Sequence, residues 1–267
     1  MKNSFNKDSI KKRFHLDEEF NQRFNNIANR YEQVTFGASN GTKFVNKKEE
    51  EIVIDLLKNH FRFANKKKVL DIGAGNGRWS KLFLSLDCEV SALDISSEMC
   101  RILSRIDKLN IFEGDIQQLK LNEKFDLVFS MRALKYTDLS KALENITYVL
   151  NNNGLVIFEL PYRYNPFYFF FYLLSFVLIR ISKHDSHINY ILMINLYGKS
   201  ETERIISKFK YQTLETKKEF FFPDFFYSKI GNKTFLRFIT TVESIFSRIL
   251  PRSLIYVIQK ESHSDHK

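Results

Sequence analysis

The chain alternates between two hydrophobic periods. Short apolar runs at 69–72, 89–93, 110–112, 125–129 and 155–160 are separated by segments whose apolar residues recur every three or four positions. The runs are typical of buried strands, and the spaced pattern is typical of amphipathic helices. Five strands that alternate with helices predict a doubly wound parallel sheet with helices on both faces.

Beyond the fifth run the alternation is interrupted by an insertion at 161–198 and then resumes. The later elements predicted are a helix at 199–208, a strand at 211–222, a helix at 234–249 and a final strand at 253–259. Asn151-Asn152-Asn153-Gly154 is predicted to stop the helix before the fifth strand, since glycine commonly ends helices.

Two helices are predicted before the first strand, at 16–31 and 48–63, with a polar loop at 36–42 between them. The domain organisation predicted is an N-terminal helical segment at 1–47, a main domain at 48–260 and a tail at 261–267. The insertion at 161–198 is then a cap on the main domain or an element that contacts a membrane.

A glycine-rich turn follows the first strand. The apolar run at 69–72 is broken only by Asp71, and Gly73, Gly75 and Gly77 come next at alternate positions. Glycine is needed where φ is positive or where a ligand must touch the backbone. A strand, a glycine turn and a helix N-terminus together predict a site for a nucleoside-bearing cofactor. The G-x-G-x-G spacing differs from the dinucleotide fingerprint G-x-G-x-x-G.

The run Asp71-Ile72-Gly73-Ala74-Gly75-Asn76-Gly77 resembles the first motif of class I S-adenosylmethionine-dependent methyltransferases. The order of later features is also similar to that family over about residues 50–260, so the main domain resembles a methyltransferase domain. The resemblance implies an α/β fold with a mostly parallel, seven-stranded Rossmann-like sheet, an antiparallel last strand and an aromatic-rich helical insertion after strand five. It also implies S-adenosyl-L-methionine as the cofactor.

Two acids that follow strands are candidates for binding the nucleoside. Asp94 ends the second strand, where an acid can accept hydrogen bonds from both ribose hydroxyls, although the same arrangement would serve NAD. The resemblance implies that Ile95 packs on the adenine face. It further implies that Asp115 accepts a hydrogen bond from the adenine amino group, and that Ile116 supplies an apolar contact and a backbone N–H.

Asp71 lies among apolar neighbours, and a buried carboxylate is costly unless it is paired. The resemblance assigns it to orienting the glycine loop and the cationic methionine end of the cofactor. It also places Ser130 and Met131 beside the sulfonium and Tyr31 over the methionine moiety. The complete predicted cofactor set is Tyr31, Asp71, Gly73, Ala74, Gly75, Gly77, Asp94, Ile95, Asp115, Ile116, Ser130 and Met131.

Methyl transfer mainly requires that the acceptor is positioned and water is excluded, and a general base is optional. The candidate catalytic residues are Tyr136 after the fourth strand, Glu159 on the fifth strand and His184 in the insertion, with His187 nearby. Each of these residues is also compatible with ordinary packing or a solvated surface.

The sequence lacks motifs that are typical of several methyltransferase subfamilies, and this narrows the classes of methyl acceptor. Ser130-Met131-Arg132 replaces the Asn-Pro-Pro-Tyr motif, which counts against adenine-N6 and glutamine methylation. No cysteine follows the fourth or fifth strand, which counts against cytosine-C5 chemistry. No set of cysteines and histidines has metal-ligand spacing, so no metal site is predicted.

The formal net charge of +10 suggests an anionic partner: nucleic acid, an anionic membrane surface or a phosphorylated substrate. A lysine-rich solvated surface explains the charge equally well. The two cysteines fit a reducing compartment, and the polar N-terminus does not resemble a secretory signal. We therefore predict a cytoplasmic protein, with peripheral membrane contact as an option.

The insertion contains an apolar run at 166–179 that is rich in Phe and Tyr. This run is short for a transmembrane helix, which needs about 20 apolar residues. A substrate lid, a helix in the membrane interface and a buried or dimer-forming helix remain open. A second aromatic cluster, at 220–222 with 225–227, extends the same apolar character.

The function predicted is S-adenosylmethionine-dependent methyl transfer to a small or lipid-linked acceptor at oxygen. An RNA methyltransferase is the enzymatic alternative, which the basic charge favours, but the sequence shows no RNA-binding appendage or base-specific motif. A non-catalytic, membrane-associated module that binds the cofactor is the other alternative.

Overall fold

A seven-stranded sheet organises the chain. The computed structural model describes residues 22, 24–26, 28, 31, 39–63, 66–118, 121–171, 194–223, 226–227 and 229–261. The strands are β1 (Lys68–Ile72), β2 (Glu89–Asp94), β3 (Leu109–Glu113), β4 (Phe125–Ser130), β5 (Leu150–Pro161), β6 (Tyr211–Glu219) and β7 (Ser253–Lys260).

The strand order is β3-β2-β1-β4-β5-β7-β6. The first five strands are parallel, and β7 runs antiparallel to both β5 and β6. The predicted fold class is therefore confirmed, including the antiparallel last strand. Of the aromatic-rich insertion, the structure describes residues 161–171 and 194–198, and residues 166–171 are helical.

Helices cover both faces of the sheet. They are α1 (Asn40–His60), α2 (Arg78–Ser85), α3 (Ser97–Leu103), α4 (Leu139–Val149), α5 (Lys199–Lys208) and α6 (Lys233–Phe246), with a 3₁₀ turn at Leu134–Tyr136. Trp79 and Phe83 of α2 pack against Phe129 of β4, with ring centroids 5.2 and 5.1 Å apart. Leu143 and Ile146 of α4 are fully buried in the cluster on the opposite face.

The N-terminal boundary of α1 differs from the sequence prediction. The helix begins at Asn40, so the loop predicted at 36–42 is wrong for residues 40–42. Ser39 caps the helix, since its Oγ accepts a hydrogen bond from the Thr42 N–H at 3.1 Å. Polar residues that look like a loop therefore serve as a helix cap. The helix also runs without a break across the boundary predicted between residues 47 and 48, and the division into domains stays a prediction.

The predicted stop at 151–154 is not a separate turn. Val149 ends α4, and β5 begins at Leu150, which pairs with Phe125 before the pairing resumes at Leu155 with Leu127. The residues between them bulge out of the β4–β5 ladder. Asn153 has the positive φ, at 60°, whereas Gly154 does not.

The carboxyl ends of the parallel strands meet at one edge of the sheet, and this edge holds every candidate site residue that follows a strand. Within the described residues, no helix combines the length and the apolar character needed to cross a bilayer.

Candidate functional site

The glycine loop is folded back against the end of β2. The N–H groups of Gly73 and Ala74 donate to the carbonyl oxygen of Leu93 at 2.7 and 3.3 Å. Gly73, Gly75 and Gly77 all have positive φ, at 69°, 56° and 78°. A Cβ at Gly73 would lie 2.2 Å from the Cβ of Ala133, so a side chain at this position would clash with the turn after β4.

Asp94 connects this loop to the beginning of α3. Its Oδ2 accepts a hydrogen bond from the Gly75 N–H at 2.8 Å, and its Oδ1 accepts one from the Ser96 N–H at 2.9 Å. Burial raises the pKa of Asp94, and these backbone donors oppose that shift. Two carboxylate oxygens have about four acceptor positions. Asp94 therefore keeps acceptor capacity for a further donor, such as a hydroxyl of a ribose.

Asp71 lies beneath the loop and is only 1% exposed. Its Oδ2 accepts a hydrogen bond from the Ser80 hydroxyl at 2.6 Å. Burial raises the pKa of Asp71 to about 7, and the nearby charge of Asp94 adds to the shift, while the Ser80 hydroxyl opposes it. The Asp71 carboxyl group therefore changes its charge near neutral pH.

Aromatic residues from separate parts of the chain meet over the glycine loop. A Cβ at Gly75 would lie 3.5 Å from Cε1 of Tyr31, so the Tyr31 ring lies against the loop. The Phe24 ring contacts those of Tyr31 and Tyr136, at centroid distances of 6.4 and 6.1 Å. The structure thus brings Tyr31 and Tyr136, which were predicted in different roles, to the same place.

Asn25 holds this N-terminal segment on the main domain. Its Oδ1 accepts hydrogen bonds from the Ser96 hydroxyl at 2.6 Å and from the Glu98 N–H at 3.4 Å. Sequence reasoning did not single out Asn25, because a single polar residue in an amphipathic segment carries no signal of a contact 71 residues away.

The residues predicted to bind the adenine differ in how exposed and how hydrogen-bonded they are. Ile95 is 37% exposed beside the cleft, whereas Ile116 is buried in the core. The Asp115 carboxylate accepts a hydrogen bond from the Gln117 N–H at 2.9 Å, and Gln117 Nε2 lies 3.0 and 3.3 Å from its two oxygens. Asp115 would therefore share its oxygens between Gln117 and an adenine amino group.

Ser130 and Met131 support the site from below. The Ser130 hydroxyl donates to the carbonyl oxygen of Ile72 at 3.1 Å, which joins the ends of β1 and β4. Met131 is buried in the core on the α1 face of the sheet. Arg132 follows with a φ of 65°, and this turn directs the chain toward α1.

The candidate catalytic residues occupy different positions. Tyr136 ends the 3₁₀ turn and contacts Phe24 near the glycine loop. Glu159 lies on β5, is 3% exposed, and its Oε2 has no hydrogen-bond partner in the described structure. His184 and His187 lie outside the described residues. Within the described ranges, no group of three His, Cys, Asp or Glu residues is placed to hold a metal ion.

A buried ion network beside the site was missed by sequence reasoning. Glu49 of α1 is 1% exposed and accepts hydrogen bonds from Nη1 of Arg78 at 2.7 Å and from Nε of Arg132 at 2.9 Å. A signal was present, since Glu49 falls on the same helical face as Val53 and Leu56. An acid on an apolar stripe indicates a buried, paired carboxylate.

Comparison with known proteins gives this site a family context. A family described as a methyltransferase domain matches residues 69–154, which include the glycine loop, Asp94, Asp115 and the end of β4. A malonyl-[acyl-carrier protein] O-methyltransferase from Enterobacter lignolyticus (strain SCF1) is 34% identical over 100 residues, covering 36% of this chain and 39% of that protein. A ubiquinone biosynthesis O-methyltransferase from Rickettsia canadensis (strain McKiel) is 22% identical over 113 residues, covering 40% of this chain and 48% of that protein.

The fold is also similar to that of solved structures. Magnesium protoporphyrin IX methyltransferase from Synechocystis PCC 6803, crystallised with S-adenosylhomocysteine, superposes with a TM-score of 0.61 at 12% identity. The superposition covers 92% of this chain and 100% of that one. By contrast, the chain spans less than half the length of the curated relatives it matches. The solved structures show that the fold is shared, and the family match supports the resemblance of residues 69–154 to a methyltransferase domain.

The residues present fit S-adenosylmethionine. Asp94 keeps acceptor capacity for a ribose hydroxyl, Ile95 offers an exposed apolar side chain beside it, and Tyr31 covers the glycine loop. Asp71 supplies a carboxylate that a positive sulfur would stabilise in its charged form.

We expect the affinity for S-adenosylmethionine to depend on the charge of Asp71. As the pH falls below about 7, Asp71 binds a proton and loses its attraction for the positive sulfur. Binding of S-adenosylmethionine should weaken by up to about tenfold per pH unit, while binding of S-adenosylhomocysteine, whose sulfur is neutral, should change less. Calorimetric titration of both ligands at pH 6, 7 and 8 measures this difference.

Asp71→Asn is the control, and it should remove the difference between the two pH profiles. The two ligands share their amino acid and nucleoside groups, so protonation of those groups affects both pH profiles equally and cancels in the difference between them. Equal pH profiles in the unmodified protein would contradict the role of Asp71.

Proposed function

We propose that this chain is a methyltransferase that uses S-adenosylmethionine to methylate an oxygen atom of a small or lipid-linked acceptor. The observation that carries the proposal is the bridge that Asp94 makes between the Gly75 and Ser96 N–H groups, because it holds a carboxylate beside the glycine loop where the proposed function requires a ribose to bind. The names of the relatives support oxygen as the methylated atom, because both are O-methyltransferases.

When bound, the cofactor supplies a methyl group on a positively charged sulfur, which makes the methyl carbon electrophilic. The residues of this chain hold the nucleoside, cover the loop and exclude water. Asp94 binds the nucleoside, and the rings of Phe24, Tyr31 and Tyr136 shield the glycine loop. Exclusion of water matters because it prevents hydrolysis and strengthens electrostatic interactions inside the site.

A hydroxyl acceptor must lose its proton as its oxygen gains the methyl group. Glu159 is the described carboxyl group best suited to take that proton, because it is buried at the carboxyl edge of β5 and its Oε2 has no partner there. We assign Tyr136 to positioning, since it packs on Phe24 over the loop. His184 stays a prediction for the same proton transfer.

The central test uses S-adenosylmethionine with a tritiated methyl group. The protein is incubated with a bacterial lipid extract, a panel of small hydroxylated compounds, and bulk RNA. We expect label in the organic phase or in a small compound, and we expect Asp94→Asn to lose most of it because the nucleoside is held less well.

Asp126→Asn is a matched control. Asp126 also accepts a hydrogen bond from a backbone N–H, that of Lys68 at 3.0 Å, but it lies at the amino end of β4, away from the site. Label in RNA alone would favour the nucleic-acid alternative. Binding of the cofactor without transfer to any acceptor class would favour the non-catalytic alternative.

An exposed apolar stripe on α6 favours a lipid-linked acceptor. The apolar stripe consists of Phe235, Phe238, Ile245 and Phe246 of α6 with Ile249 of the turn that follows, and each of these side chains is at least 43% exposed. A continuous apolar surface of this kind on a helix is typical of a partner or membrane contact.

The stripe continues onto the insertion. The Phe246 ring stacks on Phe221 at 5.1 Å, and Phe221 packs edge-on against Phe167 at 5.3 Å. Phe167 belongs to the helical residues 166–171, where Phe169 and Phe170 are 62% and 59% exposed.

Charge identifies the kind of surface that this stripe fits. Arg237 and Arg248 are exposed beside the stripe, while the acid of α6, Glu243, is buried and accepts hydrogen bonds from the Tyr227 hydroxyl and the Phe221 N–H. Apolar rings flanked by arginines match a bilayer with anionic head groups. We therefore propose that the acceptor is met at an anionic lipid surface.

Co-sedimentation with vesicles tests this contact. The protein should pellet with vesicles that contain phosphatidylglycerol and pellet less with pure phosphatidylcholine, and added salt should weaken the binding. The double variant Phe235→Ser/Phe238→Ser should lose most of the binding. Tyr148→Ser removes a 69% exposed ring from α4, on the opposite face of the sheet, and should bind as the unmodified protein does. Equal losses in both variants would count against a specific lipid-binding face.

A further inference from the structure

Two buried glutamates lie at the ends of strands beside the cofactor edge. Glu159 is on β5 and Glu219 is the last residue of β6, with β7 between them. Glu159 pairs with Ile255 and Glu219 pairs with Ser253, two positions apart on β7, so both side chains lie on the same face of the sheet. Ile255 belongs to the core cluster formed with α1, so this is the α1 face.

Among the residues that the structure describes, no hydrogen-bond partner reaches one oxygen atom of each glutamate. Oε2 of Glu219 accepts a hydrogen bond from the Ser253 hydroxyl at 2.8 Å and lies 3.6 Å from Nη2 of Arg252. In the described structure no donor reaches Oε1 of Glu219 or Oε2 of Glu159, although these side chains are 0% and 3% exposed. A buried acceptor without a donor is costly, so each such atom in a folded protein needs an explanation.

The charge of Glu159 acts on Glu219, so the two side chains belong to one cluster. Burial and the charges of Glu49 and Glu159 raise the pKa of Glu219 to about 8, against the opposing effect of Arg252 and Arg132. Glu219 is therefore largely protonated at neutral pH and can donate a hydrogen bond as well as accept one.

The cluster lies where an acceptor must approach. Arg132 comes two residues after the end of β4, whose Ser130 bonds to the end of β1 below the glycine loop. Glu159 lies two residues before the end of β5. The carboxyl edge of the sheet thus has the cofactor site over β1 to β3 and the two glutamates over β5 and β6.

We propose that Glu159 and Glu219 form the polar subsite of the methyl acceptor and that this subsite takes a neutral, hydroxyl-bearing group. This inference rests on the proposed function and names the acceptor class for it. A hydroxyl both donates and accepts, so it can donate to Oε2 of Glu159 or exchange a hydrogen bond with Oε1 of Glu219.

The surrounding charges disfavour an ionic group. The Glu49 carboxylate pairs with the guanidinium groups of Arg78 and Arg132, and the Arg252 guanidinium lies 3.6 Å from Oε2 of Glu219. An added ammonium ion would place a further positive charge near the buried guanidinium groups of Arg132 and Arg252, which is costly in a buried site. An added carboxylate has no hydrogen to donate, so it would leave Oε2 of Glu159 and Oε1 of Glu219 without donors.

The experiment compares three probes of one shape: phenol, anisole and benzoate. Anisole has the ring and the oxygen atom of phenol without the donor, and benzoate replaces the hydroxyl with a carboxylate. Each probe is titrated into the full-length protein saturated with S-adenosylhomocysteine, which prevents methyl transfer. We expect phenol to bind about tenfold more tightly than anisole, which corresponds to one good hydrogen bond, and more tightly than benzoate.

Glu159→Gln and Glu219→Gln should each reduce the preference for phenol over anisole, and the double variant should abolish it. Affinity for anisole should stay within about twofold, because ring contacts do not involve these carboxyl groups. Glu144→Gln changes an exposed carboxylate on α4 and should keep the full preference.

Affinity for S-adenosylhomocysteine is measured in every variant, which separates the subsite from the cofactor site and from folding. Intact cofactor binding with no preference for phenol in the unmodified protein would overturn the subsite alone. A preference that survives in the double variant, or a preference for benzoate, would overturn it as well. Absence of cofactor binding in the unmodified protein would overturn both this inference and the proposed function.

Discussion

The Asp94 carboxylate is the interaction on which the rest of the site depends. It joins the Gly75 N–H of one loop to the Ser96 N–H of another, and the Ser96 hydroxyl donates to Asn25 of the N-terminal segment. A buried carboxylate is stable only with such donors. The bonds that stabilise Asp94 therefore also fix the glycine loop, the start of α3 and the aromatic cover over the loop, at the position where a ribose would bind.

In the proposed function, the carboxyl edge of the sheet is divided between the cofactor and the acceptor, and Glu49 of α1 lies between the two regions. Arg78 begins α2 directly after the glycine loop, and Arg132 lies two residues after the end of β4. Because both guanidinium groups bind one buried carboxylate, a shift of either loop disturbs the other. The network thus couples the cofactor loop mechanically to the region of Glu159 and Glu219.

Sequence reasoning succeeded where the determinant is local. The glycine turn depends on neighbouring residues, and the helix predicted at 199–208 has those bounds in the structure because its apolar period is complete within the segment. It failed at the start of α1, where Gly41 must pack against the backbone of Tyr227. It also missed the Glu49 network, whose partners lie 29 and 83 residues away. Residue pattern alone does not specify contacts over such separations.

The most direct test of the central claim is calorimetric titration of the protein and its Asp94→Asn variant with S-adenosylmethionine and with NAD. Together with Asp94, the G-x-G-x-G spacing of the glycine loop predicts micromolar binding of S-adenosylmethionine and no comparable binding of NAD. The variant should lose at least about tenfold in affinity, as expected when charge-assisted hydrogen bonds are weakened. Tighter binding of NAD, or equal affinity for S-adenosylmethionine in the two proteins, would contradict a methyltransferase cofactor site organised by Asp94.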